Sequence, residues 1–152
     1  MSLDSTDRRI LETLQRKGRL SNADLSDVVH MSPSACHRRV ARLEADGYIR
    51  EYVALLDARK IGVPTTVFVE ITLQGQSDEV LDAFEKAVRR IPDVLECHLM
   101  AGSADYILKV VAEDTEDFAR IHRQHLARLP GVMQMQSSFA LRTVFKTTAL
   151  PL

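Results

Sequence analysis

Cysteine and uninterrupted apolar sequence are both scarce in this chain. Its 152 residues hold two cysteines, Cys36 and Cys97. They lie in stretches that read as different domains, so a disulfide is not expected and both read as buried thiols. No apolar run reaches the roughly 18 residues that a membrane span needs. No basic-then-apolar leader opens the sequence, which points to a cytoplasmic protein without a membrane partner. Excess charge is missing too: 20 Lys and Arg stand against 21 Asp and Glu, a net charge of −1. That balance excludes bulk electrostatic binding of nucleic acid. The halves differ, with 11 basic against nine acidic residues in 1–60 and nine against 12 in 61–152. Any DNA binding must come from individually placed arginines and from dimerisation. No glycine-rich phosphate loop or nucleophile elbow occurs. Cys97 and His98, adjacent on an expected strand, face opposite sides and make no catalytic pair. His122 and His125 have no convergent cysteine or carboxylate, so neither a metal nor a cofactor is expected. No residue is assigned a catalytic role, and the chain does not read as an enzyme.

What is present is a helix with clear ends. Ser32 is a good N-cap, Pro33 suits the first helical position, and Gly47 stands where a left-handed residue closes a helix. Met31 and Cys36 can form a hydrophobic staple across the start. Cys36, Val40 and Leu43 fall on one side at about 100° per residue. Ser34, Arg38, Ala41 and Ala45 point nearly opposite, with His37 and Arg42 on the flanks. A face that is small at its start and carries arginine in its middle suits the DNA major groove. Arg39 lies closer to the buried side and reads as structural or phosphate-contacting. Taken alone, the pattern also fits any amphipathic helix with a solvated basic face.

The preceding sequence favours the DNA reading. Asp4 and Asp7 resemble a capping pair, followed by Ile10, Leu11 and Leu14 at helical spacing up to Gly18. Ser21 caps a shorter helix with Leu25, Val28 and Val29 inward, and His30 and Met31 make a tight turn. Helix, short helix, turn and helix within about 45 residues is a helix-turn-helix or winged-helix count. Residues 48–56 alternate well enough to predict one or two strands, a small wing.

Lys60, Gly62 and Pro64 mark a linker over residues 57–64. A β-branched run over 65–73 reads as a strand. A helix then starts at Ser77 or Asp78 and runs to about Arg90, with Val80, Leu81, Phe84 and Val88 inward. Strands follow over 94–100 and 105–111, around a tight turn at Gly102. Thr115 is expected to cap a helix carrying Phe118, Ile121, His122, Leu126 and Leu129, which Pro130 and Gly131 break. Residues 132–145 alternate, placing Met133, Met135, Ser137, Phe139 and Leu141 on one face. The order strand, helix, strand, strand, helix, strand is the ferredoxin-like βαββαβ arrangement. The fold class is therefore α+β: a winged helix-turn-helix domain over 1–56, the linker, and a ferredoxin-like domain over 65–152. With both helices on one sheet face, the other face lacks cover. A face carrying Val67, Val69, Leu99, Ile107 and Phe139 predicts a homodimer, although a one-residue error inverts the faces.

These motifs together resemble the Lrp/AsnC (feast/famine) family of transcriptional regulators over essentially the whole chain. The likeness is carried by Leu3-Asp4, by Asp7-Arg8-Arg9-Ile10-Leu11, by Gly18-Arg19 and by Ser21-Asn22. The stretch from Leu25 to Gly47 matches, as do Phe68-Val69-Glu70-Ile71, Glu96-Cys97-His98, residues 102–106 and Leu129-Pro130-Gly131-Val132. The resemblance implies a DNA-binding N-terminal domain and a C-terminal effector and oligomerisation domain, often called RAM. It implies dimers that assemble further, often to octamers, and an amino acid or related effector held between C-terminal domains. The double-stranded DNA contacts expected are Ser21, Asn22, Ser32, Ser34, His37, Arg38, Arg39 and Arg42. The effector is expected at Gly102, Ser103, Ala104, Asp105 and Tyr106, with Leu99, Met100, Ser138, Phe139 and Ala140 lining the pocket. There the turn's N–H groups would receive a carboxylate and Asp105 an ammonium. Small Ser103 and Ala104 leave room, and the apolar lining suits a neutral or apolar amino acid. The plain alternative for this segment is a β-turn with Asp105 bonding its own backbone. Two rival functions are a small-molecule enzyme or sensor with a docking module, and an effector-free DNA organiser.

Overall fold

The computed structural model describes residues 2–152. They form two compact units: the residues up to Leu55 together with Phe145–Leu152, and Leu56–Val144.

The first unit holds α1 (Ser5–Arg16), α2 (Asn22–Val28) and α3 (Pro33–Ala45). Each start is capped as the sequence suggests. Asp4 accepts the Asp7 N–H at 2.7 Å while Asp7 accepts the Asp4 N–H at 3.3 Å, a capping box. Ser21 accepts from Asp24 and Ser32 from Ala35. Each cap satisfies an otherwise orphaned donor, a contribution of about 1 kcal/mol. The turn from α2 to α3 passes through His30 at φ 56°. A left-handed non-glycine residue costs roughly 1–2 kcal/mol. Bonds from the His30 N–H to Asp27 and from the Met31 N–H to Ser26 offset it. The core joins Ile10, Leu11, Leu25, Val29, Cys36 and Leu43, with Leu14, Met31 and Val40 at its rim. Burying a side chain such as Leu43 contributes about 1.5–3 kcal/mol. Val28, expected inward, is 47% exposed. The seven-residue α2 buries only a narrow stripe, Leu25 and Ser26, continued by Val29 just past its end, and Val28 falls beside it.

Residues 48–56 form no strand. Alternation alone makes no ladder without a partner strand, and none adjoins this segment among the described residues. It is held instead by the Ile49 N–H on the Leu43 carbonyl and by the Tyr52 hydroxyl, which donates to Glu44 at 3.0 Å. Burial, then Glu44, push the Tyr52 phenol up to about 12. Past it, Val53, Leu55 and Leu56 are largely exposed. The C-terminal residues also belong to this unit. The Gln15 carboxamide donates to the Leu150 carbonyl at 3.0 Å and accepts its N–H at 2.5 Å.

The second unit runs β1 (Thr65–Leu73), α4 (Asp78–Val88), β2 (Val94–Leu99), β3 (Tyr106–Ala112), α5 (Thr115–Gln124) and β4 (Val132–Phe139), with a short 3₁₀ turn at Leu126–Arg128. The strands pair antiparallel in the order β2-β3-β1-β4. Asp114, not Thr115, caps α5 by accepting the Asp117 N–H at 2.8 Å. Both helices cover one sheet face, where Phe84, Val88, Phe118 and Ile121 meet Val67, Val69, Ile71, Leu108 and Val110. Val67 and Val69 are fully buried there, and Phe139 meets Phe118 with ring centroids 5.2 Å apart. Leu99 pairs with Tyr106 on this same face. These four therefore leave the set expected on the uncovered face. The register keeps Ile107 there, as expected, with Phe68, Glu70, Lys109, Gln136 and Ser138 beside it. On β4 the register shifts between Thr72 and Leu73, which pair with Gln134 and Val132. Met133 bulges out, 64% exposed, while Val132 and Met135 both pack inward. The strand ends at Phe139 rather than continuing to 145.

Candidate functional sites: the α3 face and the β2–β3 loop

On α3, geometry separates the arginines. Arg39 Nη1 lies 2.7 Å from Asp4 Oδ2 and 2.8 Å from Asp7 Oδ1, and Arg42 Nη2 lies 2.6 Å from Asp7 Oδ1. The Asp7 side chain is only 2% exposed. Two carboxylates at the start of α1, the cap Asp4 and Asp7, thus neutralise two cations of α3 and fix the helix on the core. Hydrogen bonds from the Asp7 N–H and from Arg39 hold the Asp4 carboxyl below its usual range. Ser34, His37 and Arg38 remain exposed. Ser21 and Ser32 spend their hydroxyls on caps, and Asn22 donates to the Pro33 carbonyl at 2.8 Å. Their first duty is to shape the α2–α3 turn. From sequence, Asp7 reads only as part of a cap. Its partners stand 32 and 35 residues away, and nothing in local spacing announces them.

The β2–β3 connection is a six-residue loop closed by the Met100 N–H on the Asp105 carbonyl at 2.8 Å. It is not a β-turn. The Asp105 N–H donates to the Ile71 carbonyl. The Asp105 carboxylate, 8% exposed, accepts the Leu73 N–H and the Gln76 carboxamide, both at 2.7 Å. Asp105 therefore ties the loop to the end of β1 and the approach to α4. Gln76 is a partner that sequence reading missed. Gly102 has no left-handed φ, and a side chain there would meet nothing within 4 Å. Its backbone lies open. Tyr106 is 1% exposed and donates its hydroxyl to Glu85 at 2.7 Å. Burial, then that carboxylate, raise its phenol well above the usual range.

The expected pocket residues fall into two groups. Leu99, Met100 and residues 102–106 surround the β2–β3 loop. Ser138, Phe139 and Ala140 end β4, on the opposite edge of the sheet. Three inter-strand steps separate the edges, about 14 Å. The register adds a lengthwise offset, because Phe139 is level with Val67 and Val110 while Tyr106 is level with Ile71. One chain does not bring the two groups together. Among the described residues no group of three or more His, Cys, Asp or Glu could hold a metal ion. No helix there is long and apolar enough to cross a membrane.

A three-helix unit presenting a capped, arginine-bearing helix, joined to a βαββαβ unit with an open loop, defines a DNA-binding regulator with a ligand-binding domain. Comparison with known proteins agrees. Residues 3–50 match the Winged helix-turn-helix DNA-binding family, and residues 66–150 match the Lrp/AsnC ligand binding domain. The chain belongs to the Lrp/AsnC family of transcriptional regulators. It is 39% identical over 148 residues to the leucine-responsive regulatory protein of Klebsiella pneumoniae, covering 97% of this chain and 90% of that one. A Neisseria meningitidis transcriptional regulator in complex with L-Met superposes with a TM-score of 0.94 at 37% identity, covering 99% of this chain and 97% of the other. An AsnC family regulator from Agrobacterium tumefaciens gives 0.94 at 38% identity, covering 98% and 97%.

Proposed function

We propose that this regulator binds double-stranded DNA as a homodimer or larger assembly and answers to an amino acid. The effector sits where the β2–β3 loop of one subunit meets the β4 end of another, with residues 57–64 as the linker from the DNA-binding domain. The opposite-edge placement of Leu99–Tyr106 and Ser138–Ala140 carries this reading, because only a second copy can complete such a pocket. The L-Met bound by the Neisseria relative supports the ligand class. The uncovered sheet face, with Phe68 and Ile107 among polar neighbours, supports association. On DNA, His37 and Arg38 make the groove contacts, while Ser34 lets the helix approach. Ser21, Asn22 and Ser32 set the helix entry and can touch phosphate, and Arg39 and Arg42 hold α3 in place. Nothing in the pattern assigns catalysis.

The test pairs a thermal-shift screen against the twenty amino acids with sedimentation of the purified protein. An effector at a hundred times its dissociation constant stabilises by about 2.7 kcal/mol. A flat screen would retire the amino-acid reading and favour an effector-free DNA organiser. A monomer in sedimentation would retire the shared pocket. Arg38→Ala should lower the salt slope of binding to the DNA upstream of the protein's own reading frame by about 1. An unchanged slope and affinity would remove Arg38 from the interface.

A further inference from the structure

Asp105 is the only acidic residue of the β2–β3 loop, and its two oxygens meet different surroundings. Oδ2 accepts the Leu73 N–H in the interior. Oδ1 accepts the carboxamide of Gln76, an exposed residue just before Ser77, the cap of α4. Because Asp105 is nearly buried, Gln76 stands between Oδ1 and water. Both donors are neutral, and no ion pair among the described residues includes Asp105. A nearly buried carboxylate without a cation is an unfavourable arrangement that a cation relieves. The Gln76 amide, 2.7 Å from Oδ1, occupies the place where an ammonium N–H would donate.

The two bonds differ in how readily they can be given up. The Leu73 N–H is backbone of β1 and moves only with the sheet. Gln76 reaches Oδ1 from a segment without regular structure and needs only a side-chain rotation to leave. Oδ1 is therefore the oxygen that can be vacated.

We propose that Gln76 is a latch on the effector site: its amide occupies Asp105 Oδ1, and the ammonium of an incoming amino acid replaces it. The inference rests on the amino-acid reading above and adds a residue that sets affinity and selects for an amine. A ligand with an ammonium exchanges a neutral donor for an ion pair. A ligand without one has nothing to set against the bond it would break. Release of Gln76 also unties the loop from the approach to α4 while the tie to β1 stays, so occupancy changes what the loop is fastened to. A closed latch lowers the apparent affinity by the fraction of molecules in which it is open.

Calorimetric titration of the full chain tests this. Gln76→Met keeps the length and bulk of the side chain and removes the donor. L-leucine and L-methionine should bind Gln76→Met about tenfold more tightly than the parent protein, since no hydrogen bond to a charged group must first break. The compound 4-methylpentanoate, which is leucine without its ammonium, should gain nothing. Without ligand, the Leu73 amide should exchange with solvent deuterium at the same rate in both proteins, because its bond to Oδ2 is separate. Equal or weaker amino-acid binding in Gln76→Met would overturn the latch, make Gln76 a positioning residue for Asp105, and leave the effector reading standing. An equal gain for 4-methylpentanoate would also overturn it, since the variant would then merely open the site. Faster Leu73 exchange would do the same, because Asp105 itself would have moved. No binding of any of the twenty amino acids to either protein would overturn both the latch and the amino-acid reading.

Discussion

Removing the Asp7 carboxylate tests how α3 is held. In Asp7→Ala, Arg39 and Arg42 each lose a partner within 2.8 Å, and the Asp4 N–H loses its acceptor. Deleting one partner of a fully buried pair costs about 3–5 kcal/mol. Here the guanidiniums are 30% and 38% exposed and can turn to water, so the larger part of that penalty is relieved. A charged hydrogen bond to a buried group contributes about 1.5–3 kcal/mol. Counting one such loss and nothing for the more exposed Asp4 gives about 2 kcal/mol. For a unit of this size that lowers the melting midpoint by roughly 10 °C. Far-UV circular dichroism at the helical minimum reports it, since α1, α2 and α3 are this unit's regular elements. Asp7→Asn keeps the shape and an acceptor and should lose about half as much. A loss under about 0.5 kcal/mol for Asp7→Ala would be no more than an ordinary surface substitution gives, and would refute the clamp.

Three further outcomes are expected. Gly131 sits at φ +72°, and a Cβ there would lie 3.2 Å from Val80 Cγ1. Gly131→Ala should therefore destabilise the second unit by about 1–2 kcal/mol in urea unfolding, and a neutral result would deny the strain. Asp4 and Asp117 both have folded pKa values below their ordinary 3.8, Asp4 chiefly through the Asp7 N–H and Asp117 through the Glu113 N–H. Their contribution is present above that value and is lost as pH falls through the folded pKa, so the urea midpoint should drop below about pH 4 and hold steady from 5 to 7. Asp105→Asn can keep only part of the contact to Leu73 and Gln76. Protection of the Leu73 amide in hydrogen exchange should fall about tenfold or more, by the loss of one charge-assisted bond.

The helix starts were readable because a cap is local: Asp4, Ser21, Ser32 and Ser77 each meet a donor three residues on. Arg39's inward role followed from the helical wheel. Features that depend on a distant partner were not readable. The alternation in residues 48–56 resembles a strand, but a strand exists only when something pairs with it. The Met133 bulge is one extra residue in β4, which no alternation count reveals, and the faces of Val67 and Phe139 depended on register. At the candidate site, Gly102 and Asp105 drew notice as a motif, but Asp105's engagement with Gln76 spans 29 residues.

The pairing of Gln15 with Leu150 bears on how this protein can be rebuilt. Because Phe145–Leu152 belong to the first unit, the ligand-binding unit is an insertion with two junctions, near 55/56 and 144/145. A chimera that exchanges effector domains by a single cut after the helix-turn-helix would carry in a foreign tail and leave Gln15 facing it. A faithful graft replaces residues 56–144 and keeps the last eight residues with the helix they grip.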